Sequence, residues 1–211
     1  MSCAPRRLFL PVLILSSVLF ATVVPIGAIT VTSLADSGPG SLREAIDTAN
    51  SDGIPTTIDF APGLAGGTIA LASQLPDLSE DGTTIDGDFD DDCDADIGID
   101  GSSAGPGADG SALTSNNHVV RGLAFFDFDG DGLHIGGSNN VVECNYFGTD
   151  LSAASGHGNG QFGIRHVGGN DNQIGPYNVI AYNGEIGISV TEFGTYVDPL
   201  FTGFTPDDTR V

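Results

Sequence analysis

Three stretches of the chain line up: Asn117-His-Val-Val120 running on to Gly132-Leu-His-Ile135, Asn139-Asn-Val-Val142 running on to Gly163-Ile-Arg-His-Val167, and Asp171-Asn-Gln-Ile174 running on to Gly187-Ile-Ser-Val190. Each opens on a polar pair and then an aliphatic residue. Each closes on Gly followed by Leu or Ile, with a further aliphatic residue two or three positions on. Val120 and Val142 are 22 residues apart, Ile164 and Ile188 are 24 apart, and Val142 and Ile174 are 32 apart. The excess in the last interval fits one insertion, Thr149 to Asn159, rich in Ser, Ala and Gly. A period near 22–24 with short strands and Gly/Asn corners marks a solenoid. A leucine-rich repeat would place Leu at most fixed positions, and a β-propeller needs a longer period and its own blade signatures. The pattern predicts an all-β chain, a parallel β-helix in which equivalent side chains stack inward along the axis. Asn and Gly suit its corners because left-handed dihedrals cost them least.

Upstream of the repeats, Ile29 to Ser33 alternates and is β-branched, which predicts a strand. After the turn Asp36-Ser-Gly-Pro-Gly, Ser41-Leu-Arg-Glu44 is a capping box. Leu42, Ala45, Ile46 and Ala49 then fall on one helical face, and Asn50-Ser-Asp-Gly53 is a stop signal. The spacing predicts one short amphipathic helix over 42–50. It is suited to cover the exposed core at the N-terminal end of the solenoid. Short strands are expected at Thr57–Phe60, Thr68–Leu71, Thr83–Asp86 and Ile97–Asp100. One further strand is expected within Gly194–Leu200.

Arg6 and Arg7 precede an uncharged apolar run, Leu8 to Ala28, and this reads as an export signal cut near Ala28. An uncleaved anchor is the alternative, since about 20 apolar residues can span a bilayer. The expected organisation is a signal peptide over 1–28, a cap and first coils over 29–115, repeats over 116–190, and an irregular tail over 191–211. Localisation is expected to be extracellular, secreted or at the cell surface, with no membrane span after cleavage. The charge is extreme: 28 Asp+Glu, of which 23 are Asp, and no Lys. Such a surface repels phosphates and argues against a nucleic-acid partner. Gly, 31 of 211 residues, shows no triplet period, which excludes collagen.

Two Asp-rich stretches are candidate calcium sites, because calcium prefers carboxylate oxygens. Asp127-Phe-Asp129-Gly-Asp131-Gly132 matches the first half of a calcium loop, but Ser138 stands where an EF-hand needs Glu, and Gly-Asp-Gly is also ordinary turn chemistry. The run Asp86 to Asp96 is denser and offers Asp88, Asp90, Asp92 and Asp94, with a solvated acidic loop as the plain alternative. His134 and His166 sit at nearly matching repeat positions and would stack on one outer face if a one-residue offset were absorbed; ordinary surface histidines are the favoured reading over ligands. Cys93 and Cys144 could form a disulfide, but Cys144 lies in the strand-like run VVECNYF and Cys93 in a loop distant from it. An unpaired, buried Cys144 is therefore the favoured expectation.

The run SLREAI after a strand and a DSGPG turn resembles the opening of bacterial secreted right-handed parallel β-helix proteins with a pectate-lyase-like fold. IDG at 85–87, IDGSSAG at 99–105, RGLAF at 121–125, CNYFGTD at 144–150, GNGQFGI at 158–164 and NVIAYNGEIGISV at 178–190 add to the likeness. The resemblance implies a right-handed coil on an exported or surface-attached protein, and no single activity. A non-catalytic scaffold for surface structure, adhesion or interaction is the first functional expectation. A calcium-dependent polysaccharide lyase or glycosidase is the second, with Arg121, Arg165 and Arg210 as the basic candidates. A carbohydrate-binding module is the third; its aromatic candidates are Phe125, Phe126, Phe128, Tyr146, Phe147 and Tyr177, several of which strand alternation should bury.

Overall fold

A computed structural model describes residues 27–153, 156–191 and 194–197. Among them the chain forms short strands in three parallel sheets and one α-helix. Strands are numbered in chain order. The first sheet holds β1 (Gly27–Val31), β2 (Thr56–Phe60), β4 (Thr84–Asp86), β7 (Val119–Arg121), β10 (Val141–Glu143), β13 (Gln173–Ile174) and β16 (Tyr196–Val197). The second holds β3 (Thr68–Ala70), β5 (Ile97–Asp100), β8 (Leu123–Phe126), β11 (Tyr146–Phe147) and β14 (Val179–Ile180). The third holds β6 (Ser111–Leu113), β9 (Leu133–Ile135), β12 (Ile164–His166) and β15 (Ile188–Val190). From β4 onward the chain visits the three sheets in one fixed order and then repeats it.

The register matches the alignment of the sequence repeats. Val120 pairs with Val142 and Val142 with Ile174, while Leu133 pairs with Ile164 and Ile164 with Ile188. Strand alternation turns these matches into columns. In the first sheet Ile29, Ile58, Ile85, Val120, Val142, Ile174 and Val197 follow one another. In the second the column is Ile69, Ile99, Phe125, Phe147 and Ile180, with the two Phe rings stacked at 5.4 Å and 5°. Each such side chain, once buried, is worth about 1.5–3 kcal/mol, so stacked neighbours stabilise one another coil by coil.

The helix, α1 (Leu42–Asp52), buries Leu42, Ala45, Ile46 and Ala49 and packs against β1 and β2. Ser41 caps it by accepting from Glu44 N, while the Glu44 carboxylate reaches back to Gly40 N rather than to Ser41. It runs two residues past the expected end, because the stop is Gly53 in the left-handed region at φ 71°. The Asn50 side chain instead reaches outward, donating to Asp77 O and accepting from Ser79 N. Arg43 ties the helix to the Asp36 carboxylate and to the carbonyls of Ser73 and Gln74. β1 takes in Gly27 and Ala28, so the expected cut falls at its second residue. The rest of the expected leader, and the tail apart from residues 191 and 194–197, lie outside the described residues. Among the described residues no helix is long and apolar enough to cross a membrane.

The corners are held by buried asparagines. Asn140 accepts from His118 N and donates to Ser115 O, and Asn172 does the same for Asn140 N and Gly137 O. At the next corner Asn145 accepts from Leu123 N and donates to Val120 O, and Asn178 accepts from Asn145 N and donates to Val142 O. At the third, Asn159 accepts from Phe128 N and donates to Phe125 O, and Asn183 accepts from Asn159 N and donates to Phe147 O. Each amide thus satisfies one N–H and one C=O of the preceding coil, groups that a bend between strands would otherwise leave unpaired in the interior. The residue before the ladder position is usually left-handed: Asn117, Asn139 and Asp171 at the first corner, Gly122, Cys144 and Tyr177 at the second.

Candidate functional site

The acidic loop between β4 and β5 is folded back over the neighbouring coils rather than extended into solvent. Arg121, on the outer face of β7, makes a 2.6 Å contact with Asp88 Oδ2 and lies 3.2 Å from Asp91 and 3.6 Å from Asp86. Tyr146, on β11, donates to Asp94 at 2.8 Å. Cys93 is bonded to Cys144 across 51 residues of sequence, which corrects the expectation of an unpaired thiol. The loop and Cys144 are distant in sequence but close in space, because parallel stacking sets the ends of β4, β7 and β10 side by side. The loop crosses over Gly122, where an added Cβ would strike the backbone of Gly87 and Asp88, so the corner admits the crossing only as glycine.

Within the loop, Asp88, Asp90 and Asp96 bring one carboxylate oxygen each to within 4.8 Å of one another. Asp92 and Asp94 are not part of this group: Asp92 accepts from Asp94 N, and Asp94 takes the Tyr146 hydroxyl. The Asp88 side chain is fully buried. Its Oδ2 accepts from Arg121 and from Cys93 N, while its Oδ1 has no hydrogen-bond partner. The neighbouring Asp92 charge pushes the Asp90 carboxyl above its ordinary range. Burial does the same for Asp86, and burial with the Asp94 hydrogen bond raises the Tyr146 phenol. Asp96 stood inside the acidic run but carried no mark setting it apart from its neighbours.

Asp127, Asp129 and Asp131, grouped by their spacing in sequence, take separate partners. Asp127 pairs with His157 at 2.7 Å, and Asp129 accepts from Gly107 N at 2.6 Å. Both line a shallow open depression of about 420 Å³ with Gly101, Ser102, Pro106 and Gly160. Asp131 is buried and belongs with Asp109 and His134, one ligand-type atom of each lying within 4.8 Å of the others. Asp131 N donates to Asp109 Oδ1 and Asp131 Oδ1 accepts from Phe162 N, so these two acids form a small ladder of their own. Arg165 stands 3.8 Å from Asp131 Oδ2 and lies over the Phe162 ring. Burial first, and the Asp109 charge after it, raise the Asp131 carboxyl. Asp109 and His157 stand alone in the sequence, and nothing there singled them out.

The two histidines do not stack, and His166 is not the ordinary surface residue expected. His134 pairs in register with Arg165, while His166 pairs with Ile135 and is fully buried. The one-residue offset turns His166 to the opposite face of its strand, into the column of Leu113 and Ile135, where Asn172 and Thr195 meet its Nε2. Of the six aromatic candidates for a sugar-binding strip, five are buried and only Tyr177 is exposed. No protein-family model matches the chain, and no curated protein is significantly similar to it.

Proposed function

We propose that the chain is a right-handed parallel β-helix with α1 as its N-terminal cap, and that it acts outside the cell as a non-catalytic scaffold for surface structure, adhesion or interaction. The observation that carries this is where the polar side chains go. Six buried asparagines each clamp two backbone groups of a neighbouring coil, and Arg43 and Arg121 are bound to aspartates. A lyase acting on a polyuronate needs a basic group turned toward its substrate; Arg121 instead faces Asp86, Asp88 and Asp91. The cyclic strand order and the SLREAI-type opening favour the β-helix assignment and its relation to exported pectate-lyase-like proteins. The Cys93–Cys144 disulfide suits an oxidising compartment.

The test is expression of the full chain in a bacterial host, fractionation, and alkylation of free thiols in each fraction. A scaffold of this kind collects outside the cytoplasm with Cys93 and Cys144 blocked to alkylation. Incubation of that material with polygalacturonate and calcium, followed by ultraviolet detection of unsaturated uronates, is expected to yield no product. Accumulation of product, lost in Arg165→Ala, would replace the scaffold with the lyase.

A further inference from the structure

We propose that the 86–96 loop is a calcium site in which Asp88, Asp90 and Asp96 supply the carboxylate ligands, and that the Cys93–Cys144 disulfide holds the loop in binding shape. The site goes beyond the scaffold reading and would stand equally in an exported enzyme.

Two independent observations converge on it. The first is geometric. Calcium binds oxygen at 2.3–2.6 Å, so two ligands on one ion are at most about 5 Å apart. The three carboxylates meet that limit, with one oxygen of each within 4.8 Å of the others. The second is an orphan. Asp88 has a fully buried side chain whose Oδ2 is saturated by Arg121 and Cys93 N, yet its Oδ1 has no hydrogen-bond partner. A buried carboxylate oxygen left unpaired is costly, and a cation bound there removes that cost.

Charge and donor type choose the ion. Seven aspartates in eleven residues face one arginine, so the loop stays strongly negative after the Arg121 pairs are formed. All the donors are hard oxygens, and Cys93 is spent in a disulfide, which disfavours zinc and copper. Magnesium demands near-ideal octahedral geometry and dehydrates reluctantly, so calcium with its loose coordination sphere suits a loop better. Three protein carboxylates leave the remaining positions to water and backbone carbonyls. That number of charged ligands fits an affinity in the range of extracellular modules, Kd ~10⁻⁴–10⁻³ M. The disulfide enters because Cys93 lies between the ligands in sequence. Its N–H is bonded to Asp88, and its sulfur fixes the loop to the coil of β10. Without that anchor, repulsion among the aspartates favours an open loop.

The experiment is calcium titration of the oxidised full chain by calorimetry, with thermal melts in calcium, in magnesium, and in sodium at equal ionic strength. Calcium is expected to bind one per chain and to raise the midpoint beyond the sodium control. Asp90 is exposed and meets its loop neighbour Asp92, so Asp90→Asn should fold normally and weaken calcium binding about tenfold or more. Asp59→Asn, an exposed change on β2, should leave binding unchanged. Equal effects of sodium and calcium, or unchanged binding in Asp90→Asn, would overturn the site. Cys93→Ser/Cys144→Ser should also weaken binding about tenfold. Should that variant not fold, calcium should slow reduction of the disulfide in the unmutated chain, and an unchanged reduction rate would overturn the coupling. Loss of the scaffold reading through lyase activity would leave these outcomes untouched.

Discussion

The corners of the coils and the acidic faces use the same short side-chain skeleton for opposite purposes. At the corners it is asparagine, buried and neutral, and each amide both accepts and donates. On the faces it is aspartate, which only accepts. The Asp109–Asp131 pair makes the contrast sharp, because it is also a ladder. Asp109 Oδ1 takes Asp131 N and Asp131 Oδ1 takes Phe162 N, yet the second oxygen of each meets a side chain only at longer range, the His134 ring at 3.9 Å and the Arg165 guanidinium at 3.8 Å. An amide closes its accounts within the backbone, whereas a carboxylate carries a charge that something outside the ladder must meet. Interior corners between the parallel sheets therefore tolerate Asn, and aspartate collects where solvent or a cation can reach it.

The most direct way to break this distinction is to exchange one residue for the other. Asn145 is fully buried, and its Nδ2 donates to the carbonyls of both Val120 and Glu143. Asn145→Asp sets a carboxylate against those carbonyls with no cation beside it. The expected loss is about 3–5 kcal/mol, read from urea denaturation at neutral pH. Asn145→Ala should lose less, about 1–3 kcal/mol, since it deletes the bonds without adding charge. Equal losses in the two variants would mean that the added carboxylate carries no cost of its own and that the contrast is wrong.

The reverse exchange should stabilise. Asp131→Asn keeps an oxygen for Phe162 N and removes a buried charge beside Asp109. A rise in melting midpoint of a few degrees at pH 7, on the order of 1 kcal/mol, is expected. The sign with pH follows from the raised carboxyl of Asp131. The native state takes up a proton before the unfolded chain does, whose Asp titrates near 3.9. The unmutated protein therefore gains stability as pH falls through the raised native value, and the variant does not. Its advantage should shrink on acidification; an advantage constant from pH 7 to 4 would place its origin elsewhere than in the charge.

Much of the coil was legible because it is written in periodic residues. The aliphatic columns at Val120, Val142 and Ile174 and at Leu133, Ile164 and Ile188 come straight from the repeat spacing. The strand at Ile97–Asp100 and the apolar face of α1 follow from local pattern alone. Only the first of the three asparagine ladders left a trace, as the Asn-Asn and Asp-Asn pairs at 139–140 and 171–172. The other two are preceded by Cys144, Tyr177 and Tyr182, whose left-handed backbone no composition rule suggests. The acidic contacts were the least legible. Whether Asp131 faces Asp127 or Asp109 depends on which coil lies beside it, and spacing along the chain cannot express that. The disulfide escaped for the same reason, since Cys93 and Cys144 meet only because two strand ends lie across one intervening coil.

His118 offers the finest test, because it occupies the ladder position of Asn140 and Asn172 with a side chain that titrates. Its backbone N–H is clamped by Asn140 like any other ladder residue. Its Nδ1 lies 3.3 Å from Thr83 O and its Nε2 2.8 Å from Ser115 Oγ. A carbonyl can only accept, so the neutral ring carries its proton on Nδ1 and takes the Ser115 hydroxyl on Nε2. Burial lowers the tendency of this ring to protonate; the Thr83 carbonyl and, more weakly, the Asp81 charge act the other way. The unfolded chain protonates its histidine near pH 6.5 while the native ring stays neutral, so the contribution of His118 is full above that pH and declines as pH falls below it. Asp131 acts with the opposite sign, which keeps the two separable. His118→Asn restores the amide of the other coils and should stay within about 1 kcal/mol of the unmutated protein at pH 7.5. It should then lose less than the unmutated protein between pH 7.5 and 5.5 in urea midpoints. An identical loss in both would show that His118 takes up protons alike in the native and unfolded states, and that the pH response comes from other titrating groups.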